Sequence, residues 1–399
     1  MLNINIVASI VLFILSPLLG VLTAFLNFSK KNRNYIYFLI SLIFFLVFLK
    51  SPPAFDAIRY LQMYDEVNLN TLTEYSNYYT FYLICYLFKF FSIPFYFIPS
   101  TFVFFYLLSL FKAFDLILIN KKLFSGKEKL YCLFFILVLV VFSNPIYSSF
   151  VMRNSLALSL FIYALVCNLY NLKNRSYLFF ALSTFFHFSF GFLTLFFLLV
   201  NNIRISKIVS ISLLVIGTFV SKYFLTFVIS YIPFASLGDQ YSSYLDYSQY
   251  SQYSNNMMIA TYISYILKGG LILLIFFIKP LTAFDSKLLN IILWLLSLLG
   301  FLSISDSAID RFSNLAFLLS LLFIFSNLKY AKYKFIYQFI IFVIFLCFLI
   351  ILDIYMFRYS ILKGNYIMSS LLSPFQFLFF TDGEYRDLLK YLNYDGTWK

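Results

Sequence analysis

An all-α polytopic membrane protein is the fold class that the sequence predicts, on three observations. Of 399 residues, 62% are hydrophobic and only 11% are charged, far from the mix of a soluble globular domain. Apolar runs long enough to cross about 30 Å of hydrocarbon recur from end to end. The basic residues fall in short clusters between those runs, the pattern that positive-inside topology leaves. Together these give about ten to twelve transmembrane helices with re-entrant or half-helix segments. No soluble stretch of useful size can be cut out, so residues 1–399 read as a single integral membrane domain.

The spans are expected near 5–27, 35–50, 95–119, 129–143, 153–170, 208–230, 258–278, 288–304, 312–327 and 335–352. The first run has no basic residue before it and no small-residue cleavage site after it, so it reads as a retained span and not a cleaved signal. Four basic loops, SKKNRN (29–34), NKKLFSGKEK (120–129), NLKNR (171–175) and KYAKYK (329–334), are expected on the cytoplasmic side. Residues 51–77, 231–256 and 303–311 carry acids, tyrosines and turn residues, and are expected on the outer side. Parity then requires two more apolar segments, 78–91 and 176–200, to leave one side and return to it. The second becomes a hairpin of two half-helices turning at HFSFG, where Ser189 and Gly191 loosen the helix. Such a turn at membrane depth survives only against protein or a water-filled cavity. The alternative is one long crossing with NNIRISK (201–207) outside.

Several function classes drop out. The net charge of +13 comes from loop clusters and not from one basic face, so no nucleic-acid partner is implied. Cys85, Cys132, Cys167 and Cys347 lie in apolar stretches without metal-ligand spacing. The single histidine, His187, has no carboxylate near it in sequence, and no P-loop, GxGxxG, HExxH or GxSxG occurs. No metal and no cofactor are expected.

Four polar groups remain as candidates for chemistry. In SPPAFDAIRYLQMYDE, Asp56, Arg59 and Tyr60 share one helix face, with Tyr64 one turn on; a solvated loop helix would look the same. In SNPIYSSFVMRNSLALSL, Arg153 falls in the first turn of a span, either facing an interior cavity or snorkelling to the interface. The neighbouring small residues Ser155, Ala157 and Ser159 favour the interior. In SISDSAIDRFSNLAF, Asp306, Asp310 and Arg311 stand at another outer helix start, where an ordinary cap is the plain alternative. Two arginines at helix starts suit a pyrophosphate, because guanidinium forks match its oxygens. The fourth group, Tyr241, Tyr244, Tyr247, Tyr250 and Tyr253, repeats every three residues, as an interfacial aromatic belt or a platform for sugar rings.

The segment VMRNSLALSLFIYAL, followed by FFALSTFFHFSFGFL, resembles the EpsG/Wzy-type polysaccharide (O-antigen) polymerase family. Its R-x-x-L-A helix start matches Arg153, Leu156 and Ala157, and its fH-x-S segment matches His187 and Ser189. Asn154 stands where the family often has Gln. The loop bearing Asp56, Arg59, Tyr60 and Tyr64, the pair Asp310–Arg311 and the closing SPFQF (373–377) extend the resemblance over most of the chain. It implies a fold similar to GT-C-like glycosyltransferases that use lipid-linked sugars. It also implies polymerisation of undecaprenyl-pyrophosphate-linked repeat units into O-antigen or a related surface polysaccharide. The partners implied are the lipid-linked glycan donor and acceptor, membrane lipids, a chain-length regulator and a flippase. The localisation implied is the bacterial inner membrane, with the active site facing the periplasm. On that reading Arg153, Arg311 and Arg59 bind pyrophosphate, and Asp56, Asp306, Asp310 or His187 accepts the proton of the attacking hydroxyl. Tyr60, Tyr64, Tyr241, Tyr244 and Tyr247 contact sugar. A ligase, a repeat-unit flippase and a membrane O-acyltransferase are the alternatives.

Overall fold

The computed structural model describes residues 4–27, 29, 32–69, 79–120, 128–230, 255–328, 333–356, 370–373, 375 and 380–392. These are helical almost throughout, with no strand among them, as expected for a polytopic membrane protein. In chain order the helices are α1 (Ile4–Leu15), α2 (Pro17–Leu26), α3 (Arg33–Phe48), α4 (Asp56–Glu66), α5 (Tyr79–Phe90) and α6 (Phe97–Asn120). Next come α7 (Glu128–Ser143), α8 (Pro145–Phe150), α9 (Met152–Leu169), α10 (Lys173–Phe186), α11 (Ser189–Val200) and α12 (Lys207–Ser230). The series closes with α13 (Asn255–Leu274), α14 (Ala283–Phe301), α15 (Asp306–Leu328), α16 (Lys334–Cys347), a π-helical stretch Phe348–Met356, and α17 (Asp382–Asp387). Six helices are long and apolar enough to cross a membrane: Phe97–Asn120, Met152–Leu169, Lys207–Phe224, Ala283–Phe301, Ala308–Leu328 and Lys334–Ile351. The other apolar helices are shorter.

The chain forms two compact units. One holds Met1–Asn168, Lys173–Gly191 and Asp353–Lys399; the other holds Leu169–Leu172 and Phe192–Leu352.

In the first unit, α3 and α6 lie antiparallel. Tyr37 stacks on Phe111 at 5.1 Å, while Phe45 meets Phe104 at 6.4 Å. At their basic-loop end the Arg33 guanidinium is ion-paired with Asp115, both largely buried, and Tyr37 Oη donates to the same carboxylate at 3.5 Å. Lys112 Nζ donates to Asn34 Oδ1 at 2.9 Å.

The stretch 5–27, expected as one span, is corrected to two short helices, α1 and α2. Ser16 lies between α1 and α2, and Pro17 occupies the first position of α2, where its missing N–H costs nothing. A Cβ added at Gly20 would run into the backbone of Phe13. In a continuous helix residues seven apart are separated by about 10.5 Å along the axis, so the chain doubles back at Ser16. The Ser16 hydroxyl donates to the Leu371 carbonyl at 3.2 Å.

In the second unit α12 and α14 run parallel and touch through small residues. An added Cβ at Gly217 would lie 2.7 Å from Phe301 N, and one at Gly300 would lie 2.8 Å from Leu214 Cα. Along the same seam Ser210 Oγ donates to the Leu293 carbonyl at 2.7 Å, and Ser297 Oγ lies 3.3 Å from Ser210 Oγ. Lipid tails are as apolar as leucine, so close backbone approach and buried hydroxyl bonds hold such helices together. The start of α14 is a capping box, Thr282 with Asp285. The fully buried Asp285 carboxylate also accepts from Ser326 Oγ at 2.8 Å, which ties α15 to that turn.

Candidate active site

The approach to α4 is set by Ser51-Pro52-Pro53-Ala54, a buried stretch whose prolines cannot continue α3. Phe55 follows with φ 52°, a left-handed conformation strained for a bulky residue, and its ring meets Phe150 at 5.4 Å. α4 then starts at Asp56, a carboxylate in the first turn facing the helix dipole. The helix is amphipathic: Ala57, Tyr60, Leu61 and Tyr64 are buried, while Asp56 and Arg59 stand about half exposed, 3.6 Å apart.

Tyr60 and Tyr64 face inward. The Tyr60 ring lies 4.6 Å from Phe81 of α5. Tyr64 packs on Phe95 at 5.8 Å and its hydroxyl donates to the Ile93 carbonyl at 2.8 Å. Burial, with Asp382 and Asp65 adding, holds the Tyr64 phenol above its ordinary pKa.

Phe81 joins this helix to Arg153. The Arg153 guanidinium sits 5.8 Å from the centroid of Phe81, and the Arg59 guanidinium sits 5.6 Å from that of Tyr60. Two cations therefore flank one aromatic pair. They differ in solvation, because Arg153 is only 7% exposed whereas the Arg59 side chain is 49% exposed. At that burial the Arg153 side chain is inside the protein and not among lipid headgroups, and a desolvated cation over an aromatic face is worth about 2 kcal/mol. Its position follows from the chain before it. α7 ends at Ser143, Asn144 in the left-handed region caps α8 through Tyr147 N at 2.9 Å, and Val151 breaks the chain before α9. Beside Arg153, Asn154 Oδ1 is buried and accepts no hydrogen bond from the described residues. Ser155, Ala157 and Ser159 are all buried.

His187 is brought to the same level. α10 lies antiparallel to α9: Phe179 meets Tyr163 at 4.7 Å, Phe180 meets Phe161 at 5.3 Å, and Ser183 Oγ donates to the Ala157 carbonyl at 2.8 Å. One turn beyond Ser183 is His187, and one turn before Ala157 is Arg153. The rings between them are continuous, with Phe81 6.1 Å from Phe102 and Phe102 5.7 Å from Phe186. The expected turn at HFSFG is present, since α10 ends at Phe186 and α11 starts at Ser189. An added Cβ at Gly191 would lie 2.9 Å from Thr184 Cγ2, too close for a continuous helix over seven residues. The turn sits near the start of α9 and not half-way along it. His187 Nδ1 accepts from Ser189 N at 3.3 Å and lies 2.9 Å from Ser189 Oγ. The neutral ring then carries its proton on Nε2.

The second unit holds the remaining candidates. Asp306 opens α15 and its side chain lies outside the described residues. Asp310 pairs with Lys268 Nζ at 3.3 Å and accepts from Asn314 Nδ2 at 3.5 Å; Arg311 follows, half-buried. Lys268 itself is 8% exposed and lies 5.5 Å from the Tyr265 centroid. Sequence reasoning missed it, although a lysine inside an apolar helix was the available signal. Tyr241, Tyr244 and Tyr247, with Tyr250 and Tyr253, lie outside the described residues. Among the described residues no three His, Cys, Asp or Glu side chains gather to hold a metal ion.

No curated protein and no solved structure matches the chain. The EpsG family model matches residues 33–377, a stretch that contains Asp56, Arg59, Arg153, His187 and Arg311. The chain belongs to the EpsG family, a family of Wzy-like polysaccharide polymerases.

Proposed function

We propose that the protein polymerises undecaprenyl-pyrophosphate-linked repeat units into O-antigen or a related surface polysaccharide, on the outer face of the bacterial inner membrane. The hydroxyl oxygen of the acceptor sugar attacks the anomeric carbon of the donor glycan. The bond from that carbon to the pyrophosphate oxygen breaks, and its electron pair leaves with the pyrophosphate. Arg153 neutralises that developing charge from a nearly dry position, where a fixed cation acts most strongly. Asn154 Oδ1 is an open acceptor for a sugar hydroxyl beside it. The proton of the attacking hydroxyl goes to a carboxylate, and Asp56 is the candidate that shares a unit with Arg153 and His187. His187 orients the ligand through its ring or accepts that proton. Arg311 is a separate expectation, tested by its own substitution.

The observation that carries the proposal is Arg153, buried at a helix start and level with the turn that holds the only histidine. In cells lacking the chromosomal gene, Arg153→Ala at normal protein level is expected to lower polymer formation by about 10²–10³-fold, leaving single repeat units on the surface. Polymer of wild-type length would refute the role of Arg153, and loss of all surface glycan would favour a flippase or ligase.

A further inference from the structure

The C-terminal helix α17 lies beyond the residues that the family model matches, 33–377, yet it is fastened to α4. Arg386 reaches across 321 positions of sequence to Asp65, with Nη1 donating to Oδ2 at 2.9 Å and Nη2 to Oδ1 at 2.7 Å. Its Nε donates to Asp382 Oδ2 at 2.7 Å, so three charge-assisted bonds converge on one guanidinium. A capping box, Thr381 with Glu384, starts the helix and fixes its orientation. Tyr385 is fully buried between Phe95 at 6.2 Å and Tyr96 at 5.5 Å, and Phe95 is also the ring on which Tyr64 of α4 rests. Lys89 Nζ closes the same end of α4 from α5, donating to the carbonyls of Asp65 at 2.6 Å and Val67 at 3.1 Å.

We infer that Arg386 is a positioning residue: it locks the carboxyl end of α4 and so fixes Asp56 and Arg59 at the other end. The inference rests on the reading that α4 forms part of the reaction site. Asp56 and Asp65 are nine residues apart, about 13.5 Å along a helix, so Arg386 acts through a rigid element and not by touching substrate. Burial of the Ala57, Tyr60, Leu61 and Tyr64 face is non-directional, and Tyr64 Oη and Lys89 Nζ bond that end of α4 at single atoms. A bidentate fork adds a directional constraint that apolar packing lacks.

The test uses full-length variants in cells lacking the chromosomal gene, with the surface-glycan ladder read per molecule of protein. Arg386→Ala is expected to lower polymer per molecule by about two- to fivefold, the upper part of the range for one ion pair that is partly exposed. Arg386→Lys keeps the charge without the fork and is expected to fall between Ala and wild type. Asp65→Asn removes the partner charge at nearly constant size and is expected to give a similar loss, and the double change Asp65→Asn with Arg386→Ala should lose less than the two singles combined. Wild-type polymer per molecule in Arg386→Ala, or singles whose losses simply multiply in the double change, overturns the inference. Arg153→Ala in the same cells separates the two ideas. If it keeps full polymer, the reaction site itself is wrong; if it loses polymer while Arg386→Ala does not, only the positioning role falls.

Discussion

The Gly300 contact permits a sharp test of how the second unit is held together. Replacing Gly300 by Ala puts a methyl 2.8 Å from Leu214 Cα and 2.9 Å from its carbonyl carbon, with the carbonyl oxygen closer still. All three neighbours are backbone, so none can rotate away. Restoring contacts of about 3.5–4 Å requires α12 and α14 to separate by about 1 Å where they cross. That shift also lengthens the Ser210–Leu293 bond of 2.7 Å and the Ser297–Ser210 contact of 3.3 Å along the seam. Overpacking of this kind costs about 1–3 kcal/mol, and at about 2 kcal/mol the folded-to-unfolded ratio falls about thirtyfold. Gly269→Ala is the control, because its Cβ would meet nothing within 4 Å; loss of a helix-loosening glycine should then stabilise by about 0.5–1 kcal/mol. Thermal unfolding of both variants in one detergent should shift in opposite directions. If Gly300→Ala unfolds at or above the temperature of Gly269→Ala, the close helix crossing is not what holds the second unit.

Asp115→Ala leaves the Arg33 guanidinium without its buried carboxylate and should cost about 3–5 kcal/mol, read as a lower midpoint for thermal unfolding. The Tyr385 hydroxyl is buried and makes no hydrogen bond with the described residues. Tyr385→Phe should therefore be neutral or stabilising, whereas Tyr385→Ala should cost about 3–5 kcal/mol by opening a cavity; both are read by the same unfolding measurement. For Lys268 and Asp310, single changes to Met and Asn each strand one charge in a largely apolar surrounding. The double change should then be less destabilising than the two singles summed, with a coupling of about 0.5–3 kcal/mol in a mutant cycle.

Much of the fold was legible because a bilayer makes hydropathy and loop charge nearly sufficient signals. The helix start at Arg153 followed from Asn144-Pro145, and the break after Phe186 from Ser189 and Gly191. The broken first span had a local signal too, since Ser16-Pro17 inside an apolar run marks a helix boundary; the run's length concealed it. Tyr60 and Tyr64 lie one turn apart on the same face as Ala57 and Leu61, which puts their rings in the packing, a consequence of helical spacing that aromatic chemistry alone does not reveal. Lys268 was visible as a charge in an apolar helix, but its partner Asp310 lies 42 residues on in another helix. Arg386 and Asp65 had no local signal at all. Their pairing depends on a tertiary turn that brings the last helix back to α4, and charge alone does not say which of many arginines meets which acid.

The reversal at Ser16 changes what the first two helices do to the bilayer. With twelve residues in α1 and ten in α2, the arms are about 18 and 15 Å long, against a hydrocarbon core of about 30 Å. A hairpin of that depth ends near the midplane. Each arm alone is too short to cross such a core, so the reversal leaves Ile4 and Leu26 at the same, open end of the hairpin.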